Sequence, residues 1–421
     1  MSKHFYAIAW ILLFAATIQA AEAAKVTWPQ WRGPGFSGST EVGAYPVAWS
    51  EGDGLIWKVQ LPGRGFSTPI VCREHIIVTA PIDGRDGVVG LNFSGEVRWK
   101  TALDLERAGR HRNASGCNPS PVTDGESIFA YFKSGALAVL DFNGDVLWKT
   151  NLQQFFGEDK LWWDVGTSPV LTEDYVVGMV LHGGKSGLVA FHKKTGEIAW
   201  QVDRPYDCPN ENWDSYTTPL VIDYEGEEVI LAWGADHVTA HRASDGKFLW
   251  SCGGFNPEST PNWPSVASPV IADSVMVVTY GRGQFIAGIQ LGGSGDVTQT
   301  HRIWTRSELG AFVPTPAVHK ENVYLLGDRG EITCLDPNSG ATLWAEALPK
   351  NRSKYYSSPT IAGGRLYAAR EDGVVFVVQI AGKFEILSEN PMEDRMIASP
   401  VPVANRLILR GEHNLFLVGT N

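Results

Sequence analysis

Beyond its first two dozen residues the sequence has no apolar run long enough to cross a bilayer as a helix, which takes about 20 residues. Cysteine is sparse as well. Cys72, Cys117, Cys208, Cys252 and Cys334 are scattered singly and are odd in number, so at least one is unpaired within the chain. There is no C-x-x-C, no C-x-x-C-H haem attachment and no adjacent pair. Buried free thiols are the expectation, with Cys208 to Cys252 the one bridge an oxidising compartment would favour. Basic charge is also short: 35 Lys and Arg against 46 Asp and Glu give a net charge of −11. That removes the general electrostatic reason to bind nucleic acid or an anionic membrane. Metal-ligand spacing is missing too. His237 and His241 fall in a segment that reads as strand, which puts them on one face about 13 Å apart, beyond joint coordination. Gly292-Gly293-Ser294-Gly295 and Gly281-Arg282-Gly283 lack the strand-to-helix context of a phosphate cradle and read as turns.

What is present starts with an export signal. A basic start (Lys3, His4), an apolar run from Phe5 to about Ile18 and the A-x-A pattern Ala21-Glu22-Ala23 make residues 1–23 a signal peptide, too short in its apolar part to anchor. No cysteine precedes Cys72, so a lipid anchor is not expected either. The mature protein is expected in the periplasm or outside the cell, without stable membrane insertion and as a monomer.

The rest of the chain is rich in Gly (45), Pro (24) and Trp (16), which suits strands and turns. Two landmarks repeat. A Ser/Thr-Pro step leads into an apolar strand at Thr68-Pro69, Ser120-Pro121, Ser168-Pro169, Thr218-Pro219, Ser268-Pro269, Thr315-Pro316, Ser358-Pro359 and Ser399-Pro400, at intervals of 41 to 52 residues. A turn followed by tryptophan recurs as Ser94-Gly95 to Trp99, Asn143-Gly144 to Trp148, Thr195-Gly196 to Trp200, Asp245-Gly246 to Trp250 and Ser339-Gly340 to Trp344. It is stretched before Trp304 and altered near Gly382-Lys383-Phe384. A repeat of this length signals a propeller or solenoid. Proline is tolerated at a strand start, and the glycines supply the positive φ of tight hairpins. In the third unit Pro169–Met179, the Gly183-Gly184 turn, Gly187–His192, the Thr195-Gly196 turn and Glu197–Val202 make one blade of four antiparallel strands.

After Ser399-Pro400 only three strands remain, Val401–Val403, Arg406–Arg410 and Leu415–Val418. The missing fourth is supplied by Gly54–Leu61 at the other end of the chain. The fold is therefore expected to be all-β: an eight-bladed β-propeller over residues 54–421, preceded by a lead segment at 24–53 and closed by N-terminal strand pairing into the last blade.

The turn-tryptophan units resemble the docking motif of quinoprotein (PQQ-like) propellers, roughly A-x-D-x-x-T-G-x-x-x-W. Ala138 to Trp148 and Ala240 to Trp250 carry it most fully, and Ala190 to Trp200 has His192 at the Asp position. The resemblance spans nearly the whole mature chain, and the opening Trp28-Pro29-Gln30-Trp31-Arg32-Gly33-Pro34 looks like that of secreted bacterial members. It implies that the repeated tryptophans pack between blades. It does not separate PQQ-dependent dehydrogenases from assembly scaffolds similar to the outer-membrane factor BamB or from sensor domains. A dehydrogenase of this family would use PQQ and calcium, with an aspartate as base and commonly a vicinal disulfide, which is absent here.

Candidate site residues lie in the loops that lead into each Ser/Thr-Pro step, which run across one face towards the channel. They include Arg64, Arg112, Asn118, Trp163, Asn212, Trp213, Trp263, Tyr356 and Arg395 as ligand-binding candidates. Asp164 and Asp214 sit at matching positions before Pro169 and Pro219. As a pair at a channel mouth they would hold a cation or act as a general base. The plainer alternative is that each caps its own loop. Arg110, His111 and Arg112 would face an anionic group, or form a solvated turn. With no complete catalytic constellation, the leading expectation is a non-catalytic propeller that binds a protein partner or small ligand at the loop face. The alternative is a PQQ-dependent alcohol or sugar dehydrogenase, and aromatic-rich loops allow carbohydrate binding as a third.

Overall fold

The computed structural model describes residues 28–41 and 43–420, so the expected signal peptide lies outside the described residues. Eight sheets form the eight blades of a propeller, each with four antiparallel strands in chain order from the axis outwards. Blade 3 shows the pattern: Val170–Leu171, Tyr175–Val180, Gly187–His192 and Ile198–Asp203. Its inner strands are almost wholly buried and its outermost strand alternates. That is the burial expected where both faces of a sheet are covered by neighbouring blades while its edge meets water. Blade 8 is completed as the sequence suggests: Leu55–Gln60 pairs antiparallel with Asn414–Val418.

The Ser/Thr of every Ser/Thr-Pro step has a role that strand propensity does not explain. The backbone N–H of Thr68 donates to Ser120 Oγ (2.9 Å), that of Ser120 to Ser168 Oγ (2.9 Å), and that of Ser168 to Thr218 Oγ1 (3.1 Å). The chain of bonds continues through Ser268, Thr315 and Ser358, and Ser399 N–H returns to Thr68 Oγ1 at 3.2 Å. Seven of the eight steps around the axis are made in this way, so every blade's hydroxyl but that of Ser399 accepts a buried N–H of the blade before it.

At the periphery the tryptophans do the corresponding work. The indole N–H groups of Trp57, Trp99, Trp148, Trp200 and Trp304 each donate to a turn carbonyl of the next blade, at Phe93, Phe142, Lys193, Ala243 and Pro337, over 2.7–2.9 Å. The turns are longer than two-residue hairpins: a glycine at positive φ is followed by a β-bulge just before the tryptophan. Glycine is required at Gly144 twice over, because φ is +88° and a Cβ there would sit 2.6 Å from the Trp99 ring.

The lead segment crosses the channel. Trp28 pairs with Val71 of blade 1, Pro29 O accepts from Thr123 of blade 2, and Ser37 O and Gly38 O accept from Val318 of blade 6 and Ile361 of blade 7. Arg32, buried beneath the axis, donates to Pro316 O (2.8 Å) and Pro359 O (2.7 Å). Tyr45 and Trp49 then pack over blades 7 and 8 before the chain joins blade 8. All five cysteines are free, so the Cys208–Cys252 bridge is not formed; four are buried and Cys208 is only half-buried.

Replacing Ser168 by Ala strips the acceptor from the buried Ser120 N–H. It is expected to lower stability by about 1–3 kcal/mol, the magnitude of an unsatisfied buried donor, while Ser168→Thr stays close to the parent. Denaturant midpoints of the two variants check this.

Candidate functional site

Two loops of each blade reach the same face: the one leading into the innermost strand and the turn between the second and third strands. Together they wall a funnel of about 1290 Å³ on the axis. The hydroxyls of the Ser/Thr ring form its throat, and Trp31, half-buried, lines it from the lead segment and makes its floor.

Asp164 lies in the funnel wall at φ +68°, a left-handed conformation that aspartate tolerates. Its carboxylate is fully buried. It accepts from the N–H groups of Arg110 (2.6 Å) and His111 (3.1 Å) and faces Lys133 Nζ at 2.5 Å. Lys133 is itself 1% exposed and also donates to Ala108 O. This carboxylate, with an ammonium and two backbone donors, ties the approach loops of blades 2 and 3 together. Asp214 does not join it. It is buried away from the funnel wall, one carboxylate oxygen lacks a partner, and burial, aided by the charge of Glu211, pushes its pKa up to about 7.

Four of the nine ligand-binding candidates line the funnel: Arg112, Asn118, Trp163 and Tyr356. Asn118 is engaged with Ser115 and Val165 O, and Trp163 meets His111 edge-on at 4.5 Å and donates to Glu211. The Arg112 side chain is 72% exposed, 3.8 Å from Glu371. Arg64 and Arg395 stand behind it: both donate to Arg112 O, Arg64 also pairs with Glu412 and lies over the Phe66 ring, and Arg395 also donates to Asn113 Oδ1 and pairs with Glu371. These two arginines position the 110–113 loop. Asn212, Trp213 and Trp263 belong to a separate loop cluster off the funnel. There Asn212 is buried, donates to Asp236 and Thr260 O, and accepts from Trp263 N–H at 2.8 Å.

Sequence reading missed Trp31, Lys133, Arg282, Phe312 and Asp328. Arg282 and Asp328 sit in turns between second and third strands, a set of loops that the Ser/Thr-Pro landmark does not mark. Arg282 stacks 4.5 Å over the Phe312 ring, and Asp328 accepts from the N–H groups of Phe312 and Val313. A lone Lys133 ahead of Ser134-Gly135, following an apolar strand, was the available signal for a buried ion pair.

The donor set does not fit a calcium-bound quinone. Among the described residues no group of three or more His, Cys, Asp or Glu side chains is placed to hold a metal ion. Asp164 is already matched by Lys133, Asp328 is turned to backbone donors, and none of the five cysteines lines the funnel.

Fold and funnel define a PQQ-like propeller. The family model described as outer membrane protein assembly factor BamB matches residues 39–177, 85–346 and 294–382, and the chain belongs to that family. The solved structure of BamB from Moraxella catarrhalis is 17% identical with a TM-score of 0.63, covering 87% of this chain and 99% of that one. A europium-containing methanol dehydrogenase is 11% identical with a TM-score of 0.71, covering 96% and 100%. Quinohemoprotein alcohol dehydrogenase from Comamonas testosteroni is 12% identical with a TM-score of 0.67, covering 96% and 82%. At these identities the likeness is one of fold. No curated protein matches the chain.

Lys133→Met is expected to destabilise the protein by about 3–5 kcal/mol, because it leaves the buried Asp164 charge with only the exposed Arg110 at 3.7 Å; adding Asp164→Asn should recover part of the loss. Equilibrium unfolding of single and double variants tests the pair. A second expectation concerns pH. Asp214 and Asp86 are both raised from 3.8 to about 7, chiefly by burial. Below 3.8 folded and unfolded chains are equally protonated. Between 3.8 and about 7 the unfolded chain releases protons that the native state keeps, so stability falls as pH rises through that window and levels off above it. Asp214→Asn should flatten the profile and raise the melting temperature at pH 7.5.

Proposed function

We propose that this protein is a non-catalytic binding propeller, acting in the periplasm or outside the cell, which receives a protein segment or small ligand in its funnel. The observation that carries the reading is the division of labour in the funnel wall. Two of its carboxylates, Asp164 and Asp328, are committed to Lys133 and to backbone N–H groups. Trp31, Trp163, Phe312, Tyr356 and the exposed Arg112 line the space that remains, together with Glu308, Glu331 and Glu346. Aromatic faces with a few charged and amide groups on a rigid frame are the makings of a recognition surface. An acid or base for chemistry would need a carboxylate free to meet a substrate, and Asp164 is engaged by Lys133 and two backbone N–H groups. Family membership in the BamB group supports binding to a protein rather than turnover.

The test combines two measurements on the mature protein. Titration with PQQ and calcium is expected to leave quinone absorbance and melting temperature unchanged. Peptide and glycan arrays are expected to give binders whose retention falls at least about tenfold in Arg112→Glu/Tyr356→Ala, as for loss of central interface contacts. A saturable response to PQQ, with dye-linked oxidation of an alcohol or sugar, would replace this reading by the dehydrogenase one.

A further inference from the structure

The seam between blades 4 and 5 departs from its sisters. At five other seams the docking tryptophan gives its indole N–H to a turn of the next blade. Blade 5 has no such turn. The chain leaves its third strand through Gly292-Gly293-Ser294, and Gly295–Asp296 then runs parallel to Trp250-Ser251 as a fifth strand on blade 4. Trp250 is 3% exposed, and unlike its five sisters it gives its indole N–H to no turn of the next blade. Trp344, before the altered turn of blade 7, makes no such bond either, but there Phe384 packs 6.0 Å from the indole. At the 4–5 seam Gly295–Asp296 and Val297 cover the inner part of the gap, and a cleft of about 410 Å³ remains beside them.

The cleft has a defined chemistry. Leu249, Leu291 and Tyr224 line it with Trp250, and Glu225 and Glu227 stand among its outer residues. Glu227 is paired with Arg242 Nε at 2.8 Å, whereas Glu225 is exposed and has no ion pair among the described residues. Gly292 forms a thin wall: a Cβ there would lie 2.3 Å from Tyr224 Oη.

We propose that the cleft between blades 4 and 5 is a binding site for an amphipathic cation, with its apolar body against Leu249, Leu291 and Tyr224, a carbonyl oxygen accepting from the Trp250 indole, and an ammonium group facing Glu225. The volume suits a single large side chain with its flanking backbone. An indole N–H that no neighbouring carbonyl takes is free to donate to a ligand, and an unpaired carboxylate beside an apolar surface selects a cation. This site is separate from the funnel and stands or falls without it.

The probes are phenylalanine amide, its uncharged N-acetyl form and N-acetylphenylalanine, titrated into the full mature protein labelled with ¹⁵N while the indole resonances are observed. Trp250 is assigned by the signal lost in Trp250→Phe. The Trp250 signal is expected to shift saturably, most tightly with phenylalanine amide and least with the anion. Glu225→Gln, a surface change that leaves the fold intact, should weaken the amide about 2- to 5-fold and leave the N-acetyl form unchanged, as for a partly exposed ion pair. An unmoved Trp250 signal at millimolar probe, or equal affinity for phenylalanine amide in the parent and Glu225→Gln, would overturn the proposal.

Discussion

The structure depends on a ring of backbone N–H groups that have no partner within their own blades. Where the inner strands crowd together at the axis, each blade begins with an N–H that cannot join its own sheet, and water has little access. The hydroxyl of the next Ser or Thr supplies the acceptor, so blade-to-blade spacing at the throat is set by a single side-chain length. Proline follows because the next residue needs no donor and its φ starts the strand. At the rim, where blades diverge, the larger indole spans the wider gap. The repeat thus matches side-chain reach to radius, a short hydroxyl inside and a tryptophan outside.

A frame held in this way leaves its loops free of any duty to the core, and the loops hold one another instead. Arg64, Arg395, Glu371 and Glu412 knit the approach loops of blades 1, 2 and 8 to the second-to-third-strand turns of blades 7 and 8, and Lys133 with Asp164 joins blades 2 and 3. Much of the charge that sequence reading marks as functional is engaged in this stitching. The groups left facing the funnel are aromatic faces, the Arg112 guanidinium and a few further charges such as Glu308 and Arg329.

The architecture was legible because periodic landmarks carry it. The eight Ser/Thr-Pro steps, the turn-tryptophan units and the incomplete last blade located the strands, and the pairing of Leu55–Gln60 with Asn414–Val418 followed from counting. The irregular turns before Trp304 and near Phe384 also marked the two seams where an indole gives its N–H to no turn of the next blade. The site was only partly legible. Landmarks point to loops that precede the inner strand, so Asp164, Arg112 and Tyr356 were found, while Arg282 and Asp328 in the other loop set were not. Trp31 was hidden for another reason. It acts through where the lead segment goes, and no local pattern says that residues 28–40 pass under the axis. The hydroxyl ring was visible as a regularity of Ser and Thr, but its cause is a tertiary contact between successive blades.

The path of the lead segment bears on the order of assembly. Arg32 bonds a residue 327 positions away, and Arg410 reaches back 343 positions to Ser67. Blades 1 to 7 can each form from local hairpins, but neither the plug nor the eighth blade can exist until the last residues have emerged. During synthesis the early part of the chain must therefore wait with an open ring and two unpaired strand edges. Contacts of such sequence separation are slow to form, and the waiting species exposes the surfaces that invite mispairing. The closure that gives the finished molecule its rigidity also makes its half-made form the stage most in need of a chaperone.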